Sequence, residues 1–277
     1  MKNLRTVRGR KIYYDKIVAA KTINATQVRL QGLTTQVSTS YTTYTRRANS
    51  DTLHLYHASA FNGRNATVLR ECYGDGVEVV QLKQDIRDEQ EKHLAALCQY
   101  CMVGTADTFD HYLPQQIFPE FSVLSNNLIP ACGYCNGKKW QNWKNHLDER
   151  LIINFYYDVI PNRQFLFCNV VVNAGIPVAT FTINNPNGIN AALFGLITRH
   201  FQRLETIGRI HSQCSTELTK IRNQMQMLRT THNRRQASNF LIGLARNDKR
   251  DFGVNYCWAV LKEALGNNHH YLQSIGF

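Results

Sequence analysis

Two cysteine pairs constrain this chain more than any other feature. Cys98-Gln99-Tyr100-Cys101 and Cys132-Gly133-Tyr134-Cys135 repeat a C-x2-C pattern with thirty residues between them. A tight turn presents both thiolates of a pair on one side, and two such turns close a sulfur tetrahedron, the ligand set that suits Zn2+. With all four positions filled by protein, such an ion is structural rather than catalytic. A redox C-x-x-C fits one pair alone better than two. The other four cysteines, Cys72, Cys168, Cys214 and Cys257, stand singly, and each reads as a small buried hydrophobe. A disulfide framework is disfavoured, because the start from Met1 to Arg8 holds no apolar secretory stretch. No run is long enough to span a bilayer. The expectation is a soluble cytoplasmic protein with no membrane partner.

Charge is unevenly placed. The 277 residues carry a net +12, with ten Lys/Arg against one acid in 1–47 and eleven against three in 199–250. The stretch 48–198 holds ten basic and fourteen acidic residues. Two basic flanks around a near-neutral centre suit a polyanion lying across the flanks. A generally basic, solvated surface explains the same numbers, so charge alone does not decide.

Periodicity divides the chain into 1–76, a basic region of unreadable form; 77–150, around the cysteine pairs; and 151–277. Residues 24–45, rich in Thr, Gln and Ser, suit either a strand or an extended arm. Residues 77–97 read as a helix leading into the first pair. Phe165–Val172 and Val178–Ile183 are β-rich runs around Asn173-Ala174-Gly175-Ile176-Pro177, a hairpin pattern. Asn187 then resembles a cap. Apolar residues from Leu193 to Leu228 recur mostly every three or four, the stripe of one long amphipathic helix bent near Gly208. Arg199, Arg203 and Arg209 fall mostly off that stripe, on a solvated or a phosphate-tracking face. Further helices are expected over 235–246 and 252–265.

Between the cysteine pairs lie Phe109-Asp110-His111-Tyr112-Leu113-Pro114 and Asn126-Asn127-Leu128-Ile129-Pro130-Ala131, and the second pair runs on into Asn136-Gly137-Lys138-Lys139. Asp-His before a proline turn is often a capped loop, and Asn136 alone can be a helix cap. The joint order D-H-x-x-P, N-L-x-P-x-C, C-x-x-C-N-x-x-K resembles the HNH endonucleases whose ββα-metal motif is clasped by a cysteine-bound zinc. The resemblance covers Cys98 to Lys139, about one sixth of the chain. It implies a zinc-braced ββα core, and with the helices and hairpin read from periodicity the expected fold is α+β, that core embedded in a larger, mainly helical chain with a β-hairpin.

The resemblance also implies roles. His111 would be the general base, a part that suits an imidazole titrating near neutral pH. Asp110 and Asn136, the latter read as the first residue of its helix, would hold a catalytic Mg2+ or Mn2+ through oxygen. Asn127 would tie the loop and orient the base. Lys138 and Lys139, one turn into that helix, are placed to hold the phosphate backbone, and outside the resemblance the basic flank offers Arg199, Arg203 and Arg209 for the same contact. Of the remaining histidines only His146 lies near enough to compete as a ligand, and it reads as surface. Two departures from the family stand out. The loop Gln115–Val123 is bulky where glycine is usual, so it should pack on another part of the protein and leaves the second strand's register open. Asn in place of a final His weakens metal binding and disfavours a catalytic zinc.

The function expected is metal-dependent hydrolysis of DNA phosphodiesters. Residues Asp110–Pro114 and Phe118–Val123 resemble stand-alone bacterial HNH proteins, some tied to phage defence beside an ATPase partner. Two alternatives stand beside it: a non-catalytic zinc-dependent nucleic-acid-binding module, and a nuclease subunit active only with a partner such as an ATPase. RNA stays open as a substrate, since nothing in the sequence reads a 2′ hydroxyl.

Overall fold

The computed structural model of the chain describes residues 1–7, 9, 11–22 and 24–277. Arg8 and Arg10, two cations of the N-terminal flank, and Ile23 lie outside the described residues. The chain forms two compact units, one of residues 3–100 and 104–159, the other of residues 1–2, 101–103 and 160–277. Residues 3–76, unreadable as sequence, thus fold with most of the cysteine-pair segment.

In the first of these units, α1 (Ile12–Ala20) precedes α2 (Ala25–Asn49). The polar stretch that suited a strand or an arm is a helix. Leu30, Leu33, Val37, Tyr41, Tyr44 and Ala48 are buried on one stripe spaced by threes and fours. The intervening hydroxyls bond back one turn, Thr39 to Thr35, Thr42 to Ser38 and Thr45 to Tyr41, at 3.0 to 3.1 Å. Asn24 caps the start, its Oδ1 accepting the N–H groups of Thr26 and Gln27.

Next come α3 (Gly63–Arg70), α4 (Val77–Asp88) and a single turn, α5 (Lys92–Ala95). The helix expected over 77–97 therefore breaks after Asp88. At the break the buried Gln90 amide accepts from the Arg5 N–H at 2.8 Å and donates to the Arg5 carbonyl at 2.9 Å, fixing the N-terminal segment to the unit.

Strands β1 (Thr108–His111) and β2 (Leu128–Ala131) pair antiparallel, with Asp110 opposite Ile129 and His111 opposite Leu128. Helix α6 (Gly133–Lys139) follows at once. The connection between the strands is largely buried. Phe118 and Phe121 meet the rings of Tyr41, Tyr44 and Tyr56 at centroid distances of 5.0 to 6.3 Å. The bulky loop thus packs on the N-terminal region, as its composition required.

In the other unit, β3 (Leu166–Asn173) and β4 (Ile176–Ile183) form the expected hairpin. Its loop is only Ala174-Gly175, both at positive φ (49° and 80°), the handedness a two-residue hairpin turn requires. The expected long helix is two, α7 (Ala191–Arg203) and α8 (Thr206–Gln226). The chain breaks at Glu205, with φ 52°, rather than bending at Gly208. The cap of α7 is Asn190, whose Oδ1 accepts from Ala192 and Leu193. Asn187 instead donates to the Gln164 carbonyl. Then come α9 (Arg234–Phe252), opened by an Asn233/Gln236 capping box, α10 (Cys257–Gly266) and α11 (His269–Ser274). The chain is thus a mixed α/β protein, mainly helical, with two small antiparallel sheets. Among the described residues no helix is long and apolar enough to cross a membrane.

Asn255 joins the hairpin to the helices of this unit. Its buried side chain accepts from the Phe165 and Leu166 N–H groups at 2.7 and 3.0 Å and donates to the Arg163 carbonyl at 3.0 Å. Asn255→Ala orphans two buried N–H donors and should lower unfolding free energy by about 3 kcal/mol. Urea denaturation measures this, and a loss below about 1 kcal/mol would show that the amide is dispensable.

Candidate functional site

The thiol sulfurs of Cys98, Cys101, Cys132 and Cys135 all lie within 4.8 Å of one another, and all four residues are buried. Backbone bonds fix both turns. Cys98 N–H donates to the Gly104 carbonyl at 2.8 Å, Gln99 N–H to the Pro130 carbonyl at 3.1 Å, and Gly133 N–H to Asp107 Oδ1 at 2.9 Å. A tetrahedral Zn–S4 site, with bonds of about 2.3 Å, needs sulfurs somewhat under 4 Å apart, so a small contraction seats the ion. The donor set fits zinc. Of the single cysteines, Cys72, Cys214 and Cys257 are buried and Cys168 is half-buried. Burial pushes the thiols of Cys72 and Cys168 up to about 12, which keeps them protonated and suits packing rather than ligation.

Asp110 and His111 end β1 at a cleft of about 300 Å3 that Asn136, Tyr73 and Trp140 also line. His111 Nε2 lies 2.8 Å from the Ser122 carbonyl oxygen. A carbonyl only accepts, so Nε2 carries the proton and Nδ1 the lone pair. Burial lowers the imidazole to about 4, the Lys139 charge adding to this and the Ser122 bond opposing it. The ring is therefore neutral at pH 7. Tyr73 meets it edge-on at 4.5 Å.

Asn127 closes the loop between the strands. Its Oδ1 accepts from Leu113 N–H at 2.8 Å, and its Nδ2 donates to the Leu113 and Phe121 carbonyls, each at 3.1 Å. This fixes the Phe121 carbonyl, next in the chain to the Ser122 carbonyl that meets the imidazole. Asn136 lies one turn into α6, which begins at Gly133, so it is not a helix cap. Its Nδ2 donates to Thr108 Oγ1 at 3.2 Å and faces the Phe109 carbonyl at 3.5 Å, leaving the amide oxygen as acceptor.

Lys139 is not on the surface. It is fully buried, with Nζ 2.8 Å from Asp110 Oδ2 and bonded to the His111 carbonyl at 2.6 Å. It cannot grip a passing phosphate backbone as expected from the sequence. Asp110 Oδ2 also accepts from Tyr100 Oη at 2.6 Å. Burial pushes the Asp110 carboxyl up, while Lys139 and Tyr100 pull it back. Lys138 is half-buried, with its ammonium 5.8 Å over the Tyr134 ring. Arg199, Arg203 and Arg209 are half-buried on α7 and α8 in the other unit, not on a fully solvated face. His146 is exposed. Sequence reasoning missed Tyr73, Tyr100 and Trp140. Only Trp140 left a signal, an aromatic placed directly after the last motif lysine.

A hard divalent cation would find two oxygen donors here, a carboxylate oxygen of Asp110 and the amide oxygen of Asn136. That set suits an ion retaining most of its water. The Lys139 ammonium beside Asp110 weakens its hold.

No family model matches the chain, and no solved structure matches it. Its sequence is similar to Protein ea31 of Escherichia phage lambda, 27% identical over 194 residues, covering 64% of each chain. The match thus spans less than two thirds of that relative's length.

Protein purified without chelators should contain one zinc per chain by elemental analysis, and Cys132→Ala should lose both the metal and the cooperative unfolding of its surroundings. A metal-free wild type would contradict the four-thiol assignment. Asn127→Ala removes three buried hydrogen bonds and should cost about 3 kcal/mol in urea. An unchanged midpoint would remove Asn127 as the tie of the loop.

Proposed function

We propose that this chain is a metal-dependent endonuclease of the HNH type, with His111 as general base. One observation carries the reading. A neutral imidazole, its Nε2 proton held by Ser122, shares a cleft with the oxygen donors Asp110 and Asn136. The strand–strand–helix order beside four clustered thiols and the +12 net charge agree with it.

In this reading His111 Nδ1 takes a proton from water as the water oxygen attacks phosphorus. The bond from phosphorus to the 3′ oxygen breaks, and that oxygen takes up a proton from solvent. The products carry a 5′ phosphate and a 3′ hydroxyl. Ser122 fixes the tautomer, and Asn127 ties down the adjoining Phe121 carbonyl. Asp110 and Asn136 would hold Mg2+ or Mn2+, which supplies positive charge to the phosphate and the departing oxygen.

A second reading has its own observation. Asp110 is already satisfied by Lys139 and Tyr100, as in a zinc-braced nucleic-acid-binding module that does not cut. The phage protein to which the chain is similar lends no support to a defence role or to an ATPase partner.

Incubation with supercoiled plasmid, single-stranded DNA and RNA, with and without Mg2+ or Mn2+, separates the readings. Cutting of DNA only with the cation, slowed about 10² to 10⁴-fold by His111→Ala, is expected. Cutting by His111→Ala at the native rate would overturn the assignment, and binding without cutting would favour the second reading.

A further inference from the structure

Trp140 ends α6 at φ 46° and ψ −119°, a conformation strained for a bulky residue. The residue is 68% exposed at the cleft that holds Asp110, His111 and Asn136. The backbone is held on both sides. The Trp140 N–H donates to the Asn136 carbonyl at 2.8 Å, and the Lys139 ammonium lies 3.5 Å from the Trp140 carbonyl. Glycine would make this turn without strain, and an exposed indole gains little from burial. Packing therefore does not explain the residue. Strain of this kind, over-determined by its surroundings, clusters at ligand clamps.

The rest of the cleft shows what kind of ligand fits. Tyr73 supplies a second ring beside His111, with the Lys83 ammonium 4.5 Å over it. Gln115, Gln116 and Gln141 line the same cleft with neutral amides. Flat rings and amide groups beside a phosphate-cutting imidazole match a nucleobase, which offers a π-face and hydrogen-bonding edges.

We propose that Trp140 is a stacking platform for the nucleobase adjoining the scissile phosphate, so that the cleft takes a strand unpaired at the point of cutting. The inference rests on the nuclease reading above and names its substrate class. In a duplex both faces of each base are covered by neighbours. An indole finds a face only where a strand is single or a base has swung out. Stacking of this kind tolerates any base, so the platform selects strand state rather than sequence.

The test reads binding, so it does not depend on cutting. A short fluorescein-labelled oligothymidylate, alone or annealed to oligodeoxyadenylate, is titrated with zinc-loaded His111→Ala protein in Ca2+ and followed by anisotropy. Adding Trp140→Ala should weaken single-strand binding about tenfold and leave duplex binding nearly unchanged, while Trp140→Phe keeps most of the affinity. Trp140→Gly removes ring and strain together and should lose single-strand affinity with its Tm unchanged or raised, which a folding defect cannot produce. Unchanged single-strand affinity in Trp140→Ala, or an equal loss on duplex, would overturn the proposal. A native protein that never cuts but shows these losses would sink the nuclease reading and leave the platform standing.

Discussion

A single buried ammonium joins the pieces from which the cleft is made. Lys139 Nζ reaches the Asp110 carboxylate and the carbonyls of His111 and Trp140. It therefore fastens the end of β1 to the end of α6, holding two backbone carbonyls and one carboxylate of the cleft at once. A charge taken out of water is tolerable only when paired and hydrogen-bonded. Removing one partner of such a pair typically costs about 3 to 5 kcal/mol, because the other charge stays buried. Asp110 keeps a compensated charge at the cleft floor only while Lys139 is beside it. The same contact limits Asp110, since the position next to its carboxylate already holds a cation.

Around that fastening, each potential donor is fixed by something other than substrate. Ser122 holds the imidazole proton, Asn127 holds the carbonyl of the preceding Phe121, and the aromatic cluster of Phe118 and Phe121 with Tyr41, Tyr44 and Tyr56 holds the loop that carries both. A cleft whose groups are positioned before a ligand arrives needs little reorganisation during reaction. One cysteine pair precedes β1 in the chain and the other follows β2 directly at the start of α6, so a zinc there would brace a sheet of two four-residue strands that is too small to be stable alone.

The sequence made the cysteine cluster, the hairpin and the loop's packing legible, because spacing and side-chain size are local signals. It did not make α2 legible. Its Thr-, Gln- and Ser-rich composition left strand and extended arm both open, whereas burial of Leu30 through Ala48 decided for helix. Asn136 and Asn190 show the limits of cap reading: one asparagine that resembled a cap lies inside its helix, and the true cap of α7 stands three residues beyond the expected Asn187. The α7–α8 break at Glu205 leaves the apolar stripe uninterrupted, so periodicity could not show it. Lys139 was misread for a deeper reason. A lysine at a motif's end is usually solvated, and its burial depends on partners that only the fold brings to it, Asp110 and the His111 carbonyl. Tyr73 reaches the cleft from far along the chain, a contact no spacing encodes.

In the proposed function, water activated at His111 attacks phosphorus and expels the 3′ oxygen of DNA. Cleavage of an oligonucleotide with an unpaired segment, by zinc-loaded protein with Mn2+ in 18O-labelled water, tests this most directly through mass spectrometry of the new ends. One 18O atom in each new 5′ phosphate and an unlabelled 3′ hydroxyl opposite it are expected. An intact strand, or new ends bearing the phosphate on the 3′ side, would contradict it.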